Sequence, residues 1–142
     1  MEKQKYAAIV LAAGSGKRMN SQVHKQYLII QDRPVLYYSL KEFQDSAVDE
    51  IVLVVGKGEE EFCRREIVDK YGISKVKAIV EGGKERYHSV FEGLKQTSDA
   101  DYVLIHDGAR PFVNQDIIRR CMLEVPEYQA CLLYTSPSPR DA

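Results

Sequence analysis

The sequence predicts an α/β fold, a mostly parallel sheet flanked by helices on both faces, and three observations carry that expectation. Four short runs, residues 6–13, 51–55, 76–80 and 102–105, are almost continuously apolar, as strands buried on both faces should be. The segments between them leave room for helices and carry apolar residues at helical spacing, the pattern of successive βαβ units. Each run also leads into a polar, glycine-bearing stretch, and in parallel sheets ligands sit beyond the carboxyl ends of the strands.

Taken in order, the first run follows Lys3 and Lys5 and superficially mimics a signal peptide. It is about as short as such a segment can be and enters directly into a basic glycine loop, so it reads as the first core strand. Pro34 can open a helix through residues 35–43 that turns Leu36, Leu40 and Phe43 to one face. After the second strand, residues 59–71 predict a charged helix with Phe62, Ile67 and Val68 as its buried stripe. Residues 85–96 predict a third helix with Val90, Phe91 and Leu94 inward, and Asn114 is a candidate N-cap for a fourth over residues 115–124. A fifth strand starts near residue 130, but Pro137 and Pro139 cannot continue a central strand. Residues 1–131 are therefore expected to form a partial domain. Residues 132–142, which resemble translated sequencing-adapter read-through, are set aside as a non-native or disordered tail.

Bulk properties narrow the function classes. The chain has 142 residues, of which 44% are hydrophobic, enough for one domain with a real core. Twenty basic and 21 acidic side chains give a formal net charge of -1, so the global basic field that nonspecific nucleic-acid binding needs is missing. No segment approaches the roughly 20 apolar residues of a membrane span. Cys63, Cys121 and Cys131 suit neither a disulfide framework nor a zinc site, and reduced thiols of a cytoplasmic protein are expected.

The chemistry concentrates at three of the four strand ends. Leu11-Ala12-Ala13-Gly14-Ser15-Gly16-Lys17-Arg18 joins strand to loop, with glycines that let backbone N–H groups approach an anion and two cations to balance it. It matches neither a Walker A loop nor a dinucleotide fingerprint, and an ordinary strand-to-helix turn with surface cations is the alternative. Lys25 is far enough along to fold back over a bound triphosphate, or is a solvated surface lysine. Gly82-Gly83-Lys84-Glu85-Arg86, with Ser89, reads as a glycine hinge whose backbone and hydroxyl could meet a nucleobase edge, or as a generic turn. Asp107, beside Gly108 and Arg110 at the end of an apolar strand, is placed like a carboxylate that holds Mg²⁺ against phosphates, or like a turn-forming residue with an arginine ion pair. His106 reads as packed or hydrogen-bonded rather than catalytic.

In order and spacing, the segment from Leu11 to Met19, then Lys25-Gln26-Tyr27, then Gly82-Gly83 with Glu85-Arg86 and Ser89, then His106 to Pro111, resembles the 2-C-methyl-D-erythritol 4-phosphate cytidylyltransferase family over residues 5 to about 131. The resemblance implies a Rossmann-like nucleotidyltransferase sandwich with its C-terminal part missing. It implies that Leu11, Ala12, Ala13, Gly14, Ser15, Gly16 and Lys17 bind the CTP triphosphate, with Arg18 and Lys25 as the catalytic cations. Gly82, Gly83 and Ser89 would select cytosine, Ala109 would lie near the ribose, and Asp107 would position Mg²⁺. Lys84 stands where the family often has an acidic residue, and no role is carried onto it. The implied partners are CTP and a sugar-alcohol phosphate, in a homodimer whose arm is expected to be absent here. The alternatives are a ribitol-5-phosphate cytidylyltransferase, which often has Ala-Gly in place of Ala12-Ala13, a nucleotidyltransferase using another base, and a noncatalytic nucleotide-binding module.

Overall fold

The computed structural model describes residues 4–13, 29–30, 32–108, 113–124 and 130–133. Five strands form one parallel sheet among these residues: β1 (Tyr6–Ala12), β4 (Glu50–Val55), β5 (Val76–Glu81), β6 (Tyr102–Asp107) and β7 (Ala130–Leu133). Their spatial order is β5-β4-β1-β6-β7. The chain thus steps outward from the central strand on one side, then returns to build on the other. Ligand crevices form where such an order reverses, here beside β1 and β6. Two short strands, β2 (Ile29–Ile30) and β3 (Arg33–Pro34), make a separate antiparallel ribbon.

Strand β1 explains why the sheet is covered on both faces, since Ala7 through Val10 are fully buried. Alternation sends Ala8, Val10 and Ala12 to one face, where they pack with helix α1 (Val35–Gln44), helix α2 (Glu60–Cys63, continuing as a π-helical segment, Arg64–Asp69) and helix α4 (Gln115–Glu124). Ile9 and Leu11 go to the other face, which helix α3 (Arg86–Lys95) covers with Val90. Leu36, Leu40 and Phe43 of α1 are fully buried as expected, each such side chain contributing about 1.5–3 kcal/mol. The Asn114 cap is also present: its Oδ1 accepts from the Ile117 N–H at 3.0 Å.

Two helical faces differ from expectation. In the second helix Cys63 and Ile67 are fully buried, whereas Phe62 is 41% exposed. At about 100° per residue, residues four apart share a face while Phe62 and Ile67 do not, and the π-helical widening from Arg64 shifts the stripe further. In α3 the buried residues are Ser89 and Gly93, whereas Phe91 and Leu94 are 58% and 40% exposed. The reason is close approach: a Cβ on Gly93 would lie 2.7 Å from Ile9 Cγ2 and 3.3 Å from Val54 Cγ2. The helix therefore lies on the sheet through its small residues, and its bulkier apolar side chains are left outside.

At the amino ends of the strands, four charges alternate in a ring. Lys5 Nζ lies 2.6 Å from Asp99 Oδ2 and 3.1 Å from Glu50 Oε1, while Lys77 Nζ lies 3.3 Å from Glu50 Oε2 and 3.6 Å from Asp99 Oδ1. The hydrogen bond from Lys5 holds the Asp99 carboxyl below the usual carboxylate range. The same bond, followed by that to Glu50, raises the Lys5 ammonium. This ring ties β1, β4 and β5 to the turn that leads into β6, at the pole opposite the strand ends that carry the candidate site.

Candidate functional site

At the carboxyl ends of β1 and β6, a cleft of about 220 Å³ forms between the strands and the first turns of α3. Its lining brings together Leu11, Ala13, Gly83, Ser89 and Asp107, five residues that the sequence singles out, and adds Arg86. Ala12 is 1% exposed and packs in the core on the α1 side. Gly14, Ser15, Gly16, Lys17, Arg18, Lys25 and Ala109 lie outside the described residues.

The glycine pair works by spacing. Neither glycine has a positive φ. A Cβ on Gly82 would overlap Ser89 Oγ and come within 2.8 Å of the Ala13 Cβ, and one on Gly83 would overlap the His88 side chain. The Gly82 N–H donates to the Val55 carbonyl at 2.7 Å, which anchors the loop to the sheet. Beyond it, Glu85 caps α3: its side chain accepts from the His88 N–H while His88 Nδ1 accepts from the Glu85 N–H at 3.2 Å. This reciprocal cap fixes where α3 begins. It also fixes Ser89, which is 4% exposed and sits one turn in, under the loop.

Asp107 is the last residue of β6, in register with Leu11. The following Gly108 N–H donates to the Leu11 carbonyl at 2.7 Å, and a Cβ there would lie 2.8 Å from Leu36 Cδ1 and 3.0 Å from that carbonyl. The Asp107 side chain is 25% exposed, and Arg86 Nη1 lies 3.7 Å from its Oδ2. His106 faces the other way. It is fully buried, with Nε2 at 3.0 Å from Ser39 Oγ and its ring 5.7 Å from that of Phe43, a packed position as the sequence suggests.

The third glycine loop on this rim binds its own carboxylates. The Gly56 N–H donates to Glu59 Oε1 at 3.1 Å and the Gly58 N–H to Glu81 Oε2 at 2.9 Å, with Gly58 in the left-handed region at φ 79°. Desolvation, and then the hydrogen bond shared with Glu81, raise the Glu60 carboxyl above its ordinary value. A larger hollow of about 390 Å³ lies near the opposite pole, against Tyr6, Ile118 and Met122. The polar groups beside it are engaged within the chain: Gln115 with Glu42, Arg119 with Asp116, and the Tyr6 hydroxyl with the Met122 carbonyl.

For a divalent cation the cleft lining carries two carboxylates, Asp107 and Glu85, of which Glu85 is already engaged in the cap of α3, and no group of three or more His, Cys, Asp or Glu occurs among the described residues. That donor set fits Mg²⁺, which keeps several waters and takes one or two carboxylates together with phosphate oxygens. Arg86 belongs to the sequence motif but receives no role from it. It stands at the first position of a helix whose opening turn carries no acid, where the helix dipole disfavours a cation, and that mismatch is a signal the sequence does contain.

The parallel sheet has its crevice beside β1 and β6, closed by a glycine pair and a carboxylate, and this architecture matches nucleotidyltransferase structures of the α/β class. Among solved structures, 4-diphosphocytidyl-2C-methyl-D-erythritol synthase from Anaerococcus prevotii aligns with a TM-score of 0.70 and 33% identity, over 86% of this chain and 51% of that one. Rv0371c from Mycobacterium tuberculosis shares the fold at a TM-score of 0.73 and 23% identity, over 89% of this chain and 63% of that one. The family model described as 2-C-methyl-D-erythritol 4-phosphate cytidylyltransferase (IspD) matches residues 6–137, and the chain belongs to that family. Curated relatives of that name from Lachnoclostridium phytofermentans and Lachnospira eligens are both 52% identical, over 92% and 88% of this chain and 56% and 55% of their own lengths. The chain thus spans about half the length of the curated relatives it matches. The family match runs past residue 131, a boundary that falls inside β7 (Ala130–Leu133).

Proposed function

We propose that the chain is the nucleotide-binding half of a cytidylyltransferase that transfers CMP from CTP to 2-C-methyl-D-erythritol 4-phosphate and releases pyrophosphate, in the cytoplasmic non-mevalonate route to isoprenoid precursors. The observation that carries this reading is the convergence of Leu11, Ala13, Gly83, Ser89 and Asp107 on one cleft at the reversal of strand order. Family membership supports the choice of reaction.

The chemistry asks little covalent work of the protein. A phosphate oxygen of the sugar phosphate, already anionic near neutral pH, attacks the α-phosphorus of CTP, and the bond to the β-phosphate oxygen breaks. Orientation and charge neutralisation then supply the rate. Leu11 to Lys17 wrap the triphosphate, and Arg18 and Lys25 neutralise the charge that develops on it. The Gly82-Gly83 backbone and the Ser89 hydroxyl meet the cytosine edge, with Ala109 near the ribose. Asp107 holds Mg²⁺, which supplies charge neutralisation at the phosphate oxygens when bound. The sugar-phosphate pocket and the arm of the homodimer are assigned to the part of the relatives beyond the matched region. Residues 1–131 then form the nucleotide domain, and CTP binds with little or no turnover.

Isothermal titration with CTP, UTP, ATP and GTP in Mg²⁺ tests the reading, alongside a pyrophosphate-release assay with the sugar phosphate. Expected are a clear preference for CTP, its loss in Ser89→Ala and Asp107→Asn, and turnover far below that of a full-length relative. Equal affinity for all four nucleotides would overturn the assignment to CTP. Turnover comparable to the full-length enzyme would overturn the division of labour between the two halves.

A further inference from the structure

We infer that Arg86 is a positioning residue that serves as the counter-ion of Asp107 and gives up that place when a divalent cation arrives. The inference rests on the reading of Asp107 as a cation ligand and adds a partner which that reading does not contain. Three observations support it. Arg86 Nη1 is 3.7 Å from Asp107 Oδ2, and both side chains line the same cleft. The two ends of this pair are held by independent devices, the carboxylate by the register of β6 on β1 and the Gly108 to Leu11 hydrogen bond, the guanidinium by the Glu85–His88 cap that sets the start of α3. Finally, Arg86 occupies the opening turn of a helix, where a cation is disfavoured by the dipole, so the pair with Asp107 offsets a local cost.

The pair is loose enough to exchange. Its side chains are 43% and 25% exposed, and a solvated pair at this separation is worth little, whereas a divalent cation brings twice the charge to the carboxylate along with phosphate oxygens. Once displaced, the guanidinium remains in a cleft where an anion is arriving, and its flat five-donor face suits phosphate oxygens. Arg86 therefore does two things in succession. It contributes to compensating the Asp107 carboxylate before a cation binds, and it helps set the cation concentration at which exchange takes place.

The test uses Mn²⁺ alone as probe and records paramagnetic broadening of the Leu11 and Gly108 amide resonances during titration of the whole chain, without nucleotide. Removing the counter-ion in Arg86→Gln, or in Arg86→Met as a second variant, should lower the Mn²⁺ midpoint about two- to fivefold, the range a solvated ion pair supports. Arg86→Lys should stay near the parent, Lys84→Gln should shift the midpoint less than Arg86→Gln, and Asp107→Asn should abolish the broadening. Midpoints for Arg86→Gln and Arg86→Met that coincide with the parent would overturn the inference, as would a Lys84→Gln shift equal to theirs. Broadening that persists in Asp107→Asn would overturn the assignment of Asp107 itself. None of these readouts depends on CTP, so a failure of the nucleotide reading shows in the titration panel and a failure of the counter-ion shows here.

Discussion

Replacing Gly93 by alanine sets two opposed effects against each other at one atom. In an exposed helix the change would stabilise by about 1 kcal/mol, because glycine is the poorer helix former. In α3 the new methyl would sit 2.7 Å from Ile9 Cγ2, 3.2 Å from Ile9 Cδ1 and 3.3 Å from Val54 Cγ2, where carbon atoms ordinarily rest about 3.5–4.0 Å apart. Ile9 and Val54 are fully buried on the central strands, so the helix has to rise by about 1 Å or the isoleucine must leave its rotamer. Overpacking of this kind costs about 1–3 kcal/mol. The net expectation is a loss of about 1 kcal/mol, which for a chain of this size lowers Tm by about 3–4 °C. Because Ser89 and Arg86 ride on the same helix, CTP affinity should fall in parallel. Differential scanning calorimetry and nucleotide titration read the two effects. A rise in Tm of about 3 °C, as helix propensity alone would give, would refute the close seating of α3 on the sheet.

Two further expectations concern pH. Asp99 is held below its ordinary 3.8 by Lys5, so its stabilisation is present above that pH and is lost as pH falls through the lower folded value. Lys5 is raised above 10.5, so its share is lost only as pH rises through its higher folded value. Asp99→Asn should therefore lower Tm at pH 7 and leave it unchanged well below pH 3.8; an equal loss at both would assign the effect to packing. Glu60 is raised above 4.5, so the fold holds its proton more tightly than the unfolded chain does, and that advantage disappears as pH rises through the raised value. Glu60→Gln, neutral at every pH, should raise Tm at pH 7 and give no gain well below pH 4.5. A Tm at pH 7 that fails to rise would rule out the upward shift of Glu60 that desolvation, and then the hydrogen bond shared with Glu81, produce.

The strands were legible in the sequence because burial on both faces leaves nearly continuous apolar runs, and residues 6–13, 51–55, 76–80 and 102–105 all lie on observed strands or within a residue of their ends. The helix α1 was legible for a related reason, since Leu36, Leu40 and Phe43 are large and all face the core. Helix α3 was misread because hydrophobicity points to Phe91 and Leu94, whereas the sheet selects Ser89 and Gly93 for their size. No periodicity analysis weights a glycine as a contact surface. The Arg86–Asp107 pair was hidden for a topological reason: its members are far apart in sequence and meet only because β6 returns to the side of β1 opposite β4. At the glycine pair the sequence located the loop but not its packing, in which Ser89 and His88 leave no room for a Cβ at either glycine.

Neighbouring residues at the end of β6 face opposite ways, His106 into the core against Ser39 and Phe43, and Asp107 into the cleft beside Arg86. A strand repeats every two residues, so a slip of one exchanges its faces. Inserting or deleting a single residue within β6 would press a carboxylate against Phe43 and offer an imidazole to the cleft, costing stability and the candidate ligand together. Length changes in the turn over residues 96–101 carry no such parity constraint, because the strand can keep its register on β1 while the turn absorbs the difference. Variation in chain length among working relatives should therefore gather in that turn and stay out of the strand.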